Sequence, residues 1–495
     1  MLDRDQRVTL VCLLVAVAQL ARFMDPVFVV DDAWISFRSA RNLLEHGALT
    51  FDVSRPPVEG FTNLLWTLIS AAWIAITPSG DPLPLTRLFG AALHLGCVAL
   101  AGDVASRAAG GSLVSRGVAG GLIALSGSMA YYAMSGLETP LWAFLYLLAL
   151  WGLQRAGVSG RGGGWVGLTL ALAAATRPEG VLVGILFCAA AIGWPAWRPL
   201  ARTLVPVFVI GVAAMEGWRL WTYGALVPNT FHAKPPNPGL GWTYLGDYLV
   251  WGLGVVGALA AAVSPRRAPI AGLALLISAA LGAGVIWSGG DWMPGWRRLT
   301  LVHAGLVVAA GIGAGLSGAR LAPRALAVGV WACALVGAAT TSRDSGAFNP
   351  YLYRMLGEMC ERTPGVTDVA LIDIGSFGWH YNGAIYDLVG LTDRRIAALE
   401  GTHGEKPWDA EYFAQRSPEL IMVSNEREPM TGPAPRLGDH HAMRAAVALD
   451  YSFHMSARIS ADSYLMIFRR PDLELPPEIW GEPEAAPAWL RADGW

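Results

Sequence analysis

Charge is what this chain has least of. Only 15% of its 495 residues are Asp, Glu, Lys or Arg, while 54% are hydrophobic and the mean hydropathy is +0.42. An ordinary soluble globular protein is excluded by that balance. A basic surplus is also missing, because 36 Lys and Arg face 38 Asp and Glu. Nothing is left over to neutralise phosphates along a nucleic acid, so no nucleic-acid partner is expected. Cysteine is scarce: Cys12, Cys97, Cys188 and Cys333 lie in apolar runs and Cys360 alone lies in a polar stretch. That scatter supports neither a disulfide framework nor a Cys-x-x-Cys metal site, and the cysteines read as small packing residues. Long charge runs, low-complexity tracts and the internal repeats of many transporters are absent as well.

What fills the chain instead is a succession of apolar stretches near the ~17–25 residues that a membrane-crossing helix needs. They run over 8–24, 61–78, 83–103, 117–134, 137–155, 165–176, 179–196, 203–222, 240–263, 268–288, 299–318 and 322–341, and the short pair around Pro178 suits one broken helix. The first stretch is expected to stay as an anchor, since Arg22, Asp25 and Pro26 follow it where a cleavage site would need small residues.

Arginine sets the expected orientation, because short cytoplasmic loops carry the Lys/Arg excess. Arg4, Arg7, Arg107, Arg116, Arg155, Arg161, Arg198, Arg202, Arg266, Arg267, Arg320 and Arg324 then lie inside. Residues 25–60, 135–140, 223–239, 289–298 and everything after 341 lie outside. An inside N-terminus and an outside C-terminus require an odd number of crossings, about eleven from the twelve segments. The segment 61–78, with no positive charge at its end, is the one expected to be re-entrant or interfacial. Residues 342–495 form a second, extracytoplasmic α/β domain, with a helix over 350–362 and strands at 369–374, 420–423 and 464–468.

Polar clusters recur at the outer ends of these helices. The first outer loop begins Asp31-Asp32-Ala33-Trp34-Ile35-Ser36-Phe37-Arg38, followed by Arg41, and ends Val58-Glu59-Gly60-Phe61-Thr62-Asn63. Gly136-Leu137-Glu138-Thr139-Pro140-Leu141, Arg177-Pro178-Glu179-Gly180, Tyr223 to Pro228-Asn229-Thr230-Phe231-His232-Ala233-Lys234, and Gly289-Gly290-Asp291-Trp292-Met293 to Arg297-Arg298 follow. Taken singly, each has a plain structural account. Asp31 or Asp32 would cap a helix over Ala33–Glu45 with Arg38 and Arg41 as partners, Glu179 would support a helix start, and Trp292 and Trp296 would anchor at the membrane surface. His303, in an apolar run, suits a hydrogen-bonded core residue. Those accounts leave the convergence of carboxylates and cations on one side unexplained. A carboxylate pair suits general-base chemistry, because each charge raises its neighbour's pKa, and His232, Lys234, Arg297 and Arg298 suit an anionic phosphate. Asp31, Asp32, Glu138 and Asp291 suit hydroxyls, those cations or a metal. Adjacent Asp31 and Asp32 point in different directions, so one is expected to be the base, Asp31 by preference, and the other to orient it through Arg38, Arg41 or a metal.

These motifs resemble the GT-C membrane glycosyltransferases, and within them the mycobacterial-type terminal arabinofuranosyltransferases that use decaprenyl-phosphoryl-arabinose. The resemblance covers residues 25–300 in the family's order, with Trp34 where that family often has Tyr. It implies a polytopic α-helical membrane protein in which residues 1–341 form the catalytic domain at the plasma (inner) membrane, with an outward-facing active site. It further implies transfer of a sugar, arabinofuranose in that subfamily, from a polyprenyl-phosphate donor to a cell-envelope glycan, lipid or protein acceptor. Asp31 or Asp32 would be catalytic, together with Glu138; Arg38, Arg41, Glu59, Asn63, Arg177, Asn229, His232, Lys234, Asp291, Arg297 and Arg298 would bind substrate. No cofactor is required, since the phosphate leaving group supplies the energy; a divalent ion is allowed but not demanded. No phosphate loop is found, as Arg161-Gly162-Gly163-Gly164 lacks the flanking strand, Lys and Ser/Thr. The rivals are a transferase of the same fold acting with another sugar on protein or lipid, and a non-enzymatic transporter or scaffold.

Overall fold

The computed structural model describes residues 2–24, 29–253, 268–316, 350–401, 406–407, 409–426, 437–459 and 463–487. Helix α1 (Arg4–Ala21) starts with a capping box, Asp3 accepting from the Gln6 N–H while Gln6 returns a bond to the Asp3 N–H. Helix α2 (Asp31–His46) is the amphipathic helix of the first loop. Five helices among the described residues are long and apolar enough to cross a membrane: Leu83–Ala108, Thr139–Ser159, Arg198–Tyr223, Pro269–Ser288 and Arg297–Leu316. Leu113–Leu125 and Gly127–Met134 make a sixth if joined, but they bend by 55° where one straight helix over 117–134 was expected. Ser126 accounts for the break, since its side chain caps the second helix through the Met129 N–H.

Leu64–Ile76, Gly163–Thr176 and Glu179–Gly193 are shorter apolar helices. At 13 residues the first spans roughly 20 Å, well below a ~30 Å hydrocarbon core. The expected segment 240–263 starts as the helix Pro238–Asp247 and widens into a π-turn over Tyr248–Leu253, after which it leaves the described residues. The segment 322–341, Cys333 and the expected boundary at 341/342 also lie outside them.

Each end of the bundle carries its own set of ion pairs. At one end Arg116 reaches both Asp5 (3.4 Å) and Asp103 (3.0 Å), and Trp151 donates to Asp103, so the N-terminus, the 103–116 turn and the far end of Thr139–Ser159 share a side. Glu138, just before the start of that helix and 13 residues ahead of Trp151, therefore lies roughly 20 Å away toward the other end.

The C-terminal domain is a five-stranded sheet: β1 (Asp368–Leu371), β2 (Ala384–Asp387), β3 (Leu420–Asn425), β4 (Ser452–Arg458) and β5 (Tyr464–Arg469), in the order β2-β1-β3-β5-β4. The β2-β1-β3 half is parallel and β5 joins it to β4 antiparallel. The expected strands at 420–423 and 464–468 and the helix at 350–362 are found, whereas the one expected over 369–374 stops at Leu371 and Ile374 already opens a short helix; β2 and β4 add to them. Alternate residues bury each face of the sheet. Val369, Leu371, Leu420, Met422 and Ile467 pack on one side with Leu356 and Phe377, and two residues of the membrane part, Ile35 and Phe51, belong to the same core. Cys360 is buried there too, despite its polar sequence surroundings. The domain is thus built onto α2 rather than tethered beside it.

Candidate active site

Helix α2 carries the first acidic pair, and it begins two residues before the expected Ala33. Its N-cap is Val30, without a side-chain bond, so neither aspartate caps it. Both sit in its first turn, where the exposed N–H groups favour negative charge. Consecutive helical residues diverge by about 100°, and here that divergence separates two environments.

Asp32 faces the helical bundle. Its carboxylate lies 3.7 Å from Arg297, and its side chain keeps 26% of its surface exposed. One turn on, Ser36 donates to the Asn63 carbonyl at 3.1 Å, and Asn63 donates to Glu138 at 3.0 Å. Glu138 takes Arg177 at 2.6 Å, Arg177 pairs with Glu179 at 3.0 Å, and Arg298 closes on Glu179 at 3.4 Å. Arg297 holds Asp291 at 2.7 Å. Half-buried Lys234 lies within the field of Asp32 and Asp291, yet makes no hydrogen bond or ion pair among the described residues. The Asp291–Arg298 loop is itself fixed, since Ser128 and Tyr132 donate to the Gly295 and Pro294 carbonyls.

Burial and mutual charge tune these groups. Burial pushes the Asp32 carboxyl above the ordinary carboxylate value; Lys234 and Arg297 oppose that rise, while Asp291 and Glu138 add to it. Asp291 is also buried, but Arg297, Lys234 and Arg298 outweigh the desolvation and hold it low. Burial depresses the Lys234 ammonium, against the pull of Asp32 and Asp291.

Asp31 faces the C-terminal domain. Its two oxygens accept the backbone N–H groups of Gly375 (2.9 Å) and Ser376 (2.7 Å). Burial, then the nearby Asp373, pushes it up to about 8 against those two donors. Arg38 donates to the Gly378 (3.0 Å) and Gly383 (2.9 Å) carbonyls, and Arg41 to Trp379 (2.9 Å) and Asn382 (3.1 Å). Asn229 donates to Gly390 (2.8 Å) and Leu391 (3.0 Å). Arg38 and Arg41 thus pair with neither aspartate: at i+7 and i+10 from Asp31 they share the domain-facing side of α2, where backbone carbonyls and the Asn382 side-chain oxygen take their terminal nitrogens.

The expected site residues therefore divide. Asp32, Asn63, Glu138, Arg177, Lys234, Asp291, Arg297 and Arg298 gather at one end of the bundle, whereas Asp31, Arg38, Arg41 and Asn229 stand at the domain junction. Glu59 is buried against Arg219 at 2.7 Å, and His232 is exposed with its ring against Phe231. Glu179, read as a helix-start residue, belongs to the cluster, and Ser36 and Tyr132 support it unforeseen. Arg219 was legible in principle, as a charge in an apolar helix asks for a partner. Buried His303 faces the Tyr248 hydroxyl at 3.4 Å, as a core histidine does. Trp292 is exposed, which fits an interfacial anchor, and Trp296 is only half-buried. Among the described residues no three carboxylate, His or Cys side chains converge as a metal set. Asp32, Glu138 and Asp291 each face a guanidinium instead, so the donors do not fit a resident ion.

A family model described as a domain of unknown function, DUF8728, matches residues 349–468. No curated protein sequence matches the chain. Solved structures do. ArnT from Cupriavidus metallidurans bound to undecaprenyl phosphate is 13% identical with a TM-score of 0.54, over 93% of this chain and 97% of that one. The Archaeoglobus fulgidus oligosaccharyltransferase AglB, in complex with an inhibitory peptide and a dolichol-phosphate, is 11% identical with a TM-score of 0.59, over 95% and 75%. The mycobacterial arabinofuranosyltransferase AftD is 16% identical with a TM-score of 0.51, over 94% of this chain but only 42% of that protein. The chain shares the fold of these structures, the GT-C fold: helices long and apolar enough to cross a membrane, a first-loop helix and a small C-terminal sheet domain.

Proposed function

We propose that this protein transfers a sugar from a polyprenyl-phosphate donor to an acceptor hydroxyl at the outer face of the plasma membrane. One observation carries the reading: a carboxylate that is largely buried but still open to solvent, Asp32, stands beside Lys234 and Arg297 at the end of an apolar bundle. A lipid-linked donor keeps its tail among the helices and brings its phosphate to that level. Asp32 takes the acceptor proton as the acceptor oxygen bonds to the anomeric carbon, and the bond from that carbon to the phosphate oxygen breaks. Lys234, with Arg297 and Arg298, receives the negative charge of the departing polyprenyl phosphate. Burial raises the base toward the working pH. Glu138 and Asn63 hold the floor of the site, and Asp32 is preferred over Asp31 because both Asp31 oxygens are already engaged.

The lipid phosphates bound by ArnT and AglB support the donor class. The arginine distribution supports an outward-facing site, with residues 1–341 in the membrane, 25–60 as the first outer loop, and 342–495 as the extracytoplasmic domain. Among sugars the motif resemblance favours arabinofuranose, and among acceptors a cell-envelope glycan, lipid or protein. The test is to offer the purified protein, in nanodiscs, a panel of polyprenyl-phosphate sugars with those acceptor classes. Consumption of one donor, lost in Asp32→Asn, is expected. A protein that consumes none but moves a solute across the membrane would be a transporter, and the reading would fall.

A further inference from the structure

The adjacent aspartates face two bodies at once. Asp31, Ile35, Arg38 and Asn42 recur at helical spacing on one side of α2, and the first three meet the C-terminal domain: Asp31 through Gly375 and Ser376, Ile35 in its core, Arg38 through Gly378 and Gly383. Asp32 and Ser36, four apart, face the bundle cluster. The first turn of α2 is also pinched between two glycines. A Cβ on Gly375 would stand 2.1 Å from the Asp31 carbonyl oxygen, and one on Gly136, whose φ is +88°, would stand 3.0 Å from the Ala33 Cβ. The domain therefore grips the turn that carries Asp32, and the bundle presses on it from the other side.

We infer that Asp31 is a positioning residue through which the C-terminal domain, the part matching a family of unknown function, aims the Asp32 carboxylate at the acceptor. The inference rests on the transferase reading, with Asp32 as base. A tilt of the first α2 turn displaces Asp32, whereas Lys234 and Arg297 are carried by other segments, so donor binding and turnover respond differently.

The test uses the full-length protein in nanodiscs with the donor found active, comparing Asp31→Ala, Asp31→Asn and Gly375→Ala with wild type and Asp32→Asn. Gly375→Ala changes no ionisable group. In it and in Asp31→Ala, kcat is expected to fall about 10- to 100-fold, the scale of ångström misplacement, with donor KM within about threefold. Amide exchange at 375–376 should rise in both Asp31→Ala and Gly375→Ala. Asp31→Asn keeps one acceptor oxygen and should recover part of kcat and of the exchange protection. Unchanged kcat in Asp31→Ala and Gly375→Ala beside an inactive Asp32→Asn would overturn the inference and leave the transferase reading standing. A loss in Asp31→Asn as deep as that of Asp32→Asn, with protection at 375–376 intact, would make Asp31 a base and also overturn it. So would parallel losses of kcat, donor KM and melting temperature, which mark a merely structural contact. If Asp32→Asn turns over normally, the transferase reading with this base falls instead, and the exchange data still report whether Asp31 holds the domain.

Discussion

The two sides of α2 handle charge in opposite ways. Toward the C-terminal domain each guanidinium is held at two or more points: the terminal nitrogens of Arg38 and Arg41 end on oxygens of that domain, Arg55 reaches Asp52, Asp368 and Asp393, and Arg416 reaches Asp368 and Asp393. Toward the bundle, Asp32 stands off Arg297 at 3.7 Å with part of its surface open, and Lys234 has no partner within bonding distance among the described residues. A charge desolvated without a close partner costs free energy, so a fold selected only for stability would remove it. A densely paired network is what holds two domains together. An unsaturated one is what a substrate anion and an acceptor proton can enter.

The contrast breaks first at Asp32. Asp32→Asn keeps the shape and removes the base, so kcat should fall by a factor of about 10²–10⁴ while donor KM and the melting temperature hold. The junction should respond the other way. The Arg416 side chain is buried, and in Arg416→Ala its two carboxylates would keep only the longer contacts to Arg55, so the C-terminal domain should lose about 1–3 kcal/mol of stability, read from denaturant unfolding. Turnover per folded molecule should not change. If Arg416→Ala instead lowered kcat at full stability, the division between holding and chemistry would be wrong.

Much of this division was legible in the sequence, though not the assignment of each residue to its side. The motifs located the acidic pair, the Arg177-Pro178-Glu179 turn and the Asp291 loop, and apolar run lengths located most helices. What stayed hidden depends on partners distant in sequence. Arg38 and Arg41 look like partners of the acidic pair or substrate-binding residues until Gly378, Gly383 and Trp379 are brought to them from more than 330 positions away. Asp31 looks like the better base until Gly375 and Ser376 occupy both its oxygens. Strand β2 is four residues long and β4 reads polar at every second position, so neither stands out from turn-rich surroundings.

Lys234 sharpens the comparison from the unsaturated side. An ammonium with no protein partner contributes little to folding, but facing a phosphate it makes a charge-assisted bond of about 1.5–3 kcal/mol. Lys234→Ala should therefore raise donor KM about 10- to 100-fold, with a melting temperature close to that of wild type. An equal loss of stability would turn Lys234 into one more structural cation.

The smallest effect is a displacement of the pH–rate profile, and its sign is what matters. Asp32 must be ionised to accept a proton, and burial holds its pKa above the ordinary carboxylate value, so activity should fail on acidification at a higher pH than a free carboxylate would allow. Lys234 opposes that rise by favouring the charged form, whereas Glu138 adds to it by repulsion. Lys234→Ala should then move the acid limb of kcat to higher pH, because a stabilising cation is gone. Glu138→Gln should move it to lower pH, because a competing negative charge is gone while Arg177 retains Glu179 as its partner. Opposite displacements from the two variants, measured at saturating donor, would tie the titrating group to the fields of both Lys234 and Glu138, which is the setting of Asp32. Shifts of the same sign in both variants would place the titrating base elsewhere, and Asp291 would be the next carboxylate to neutralise.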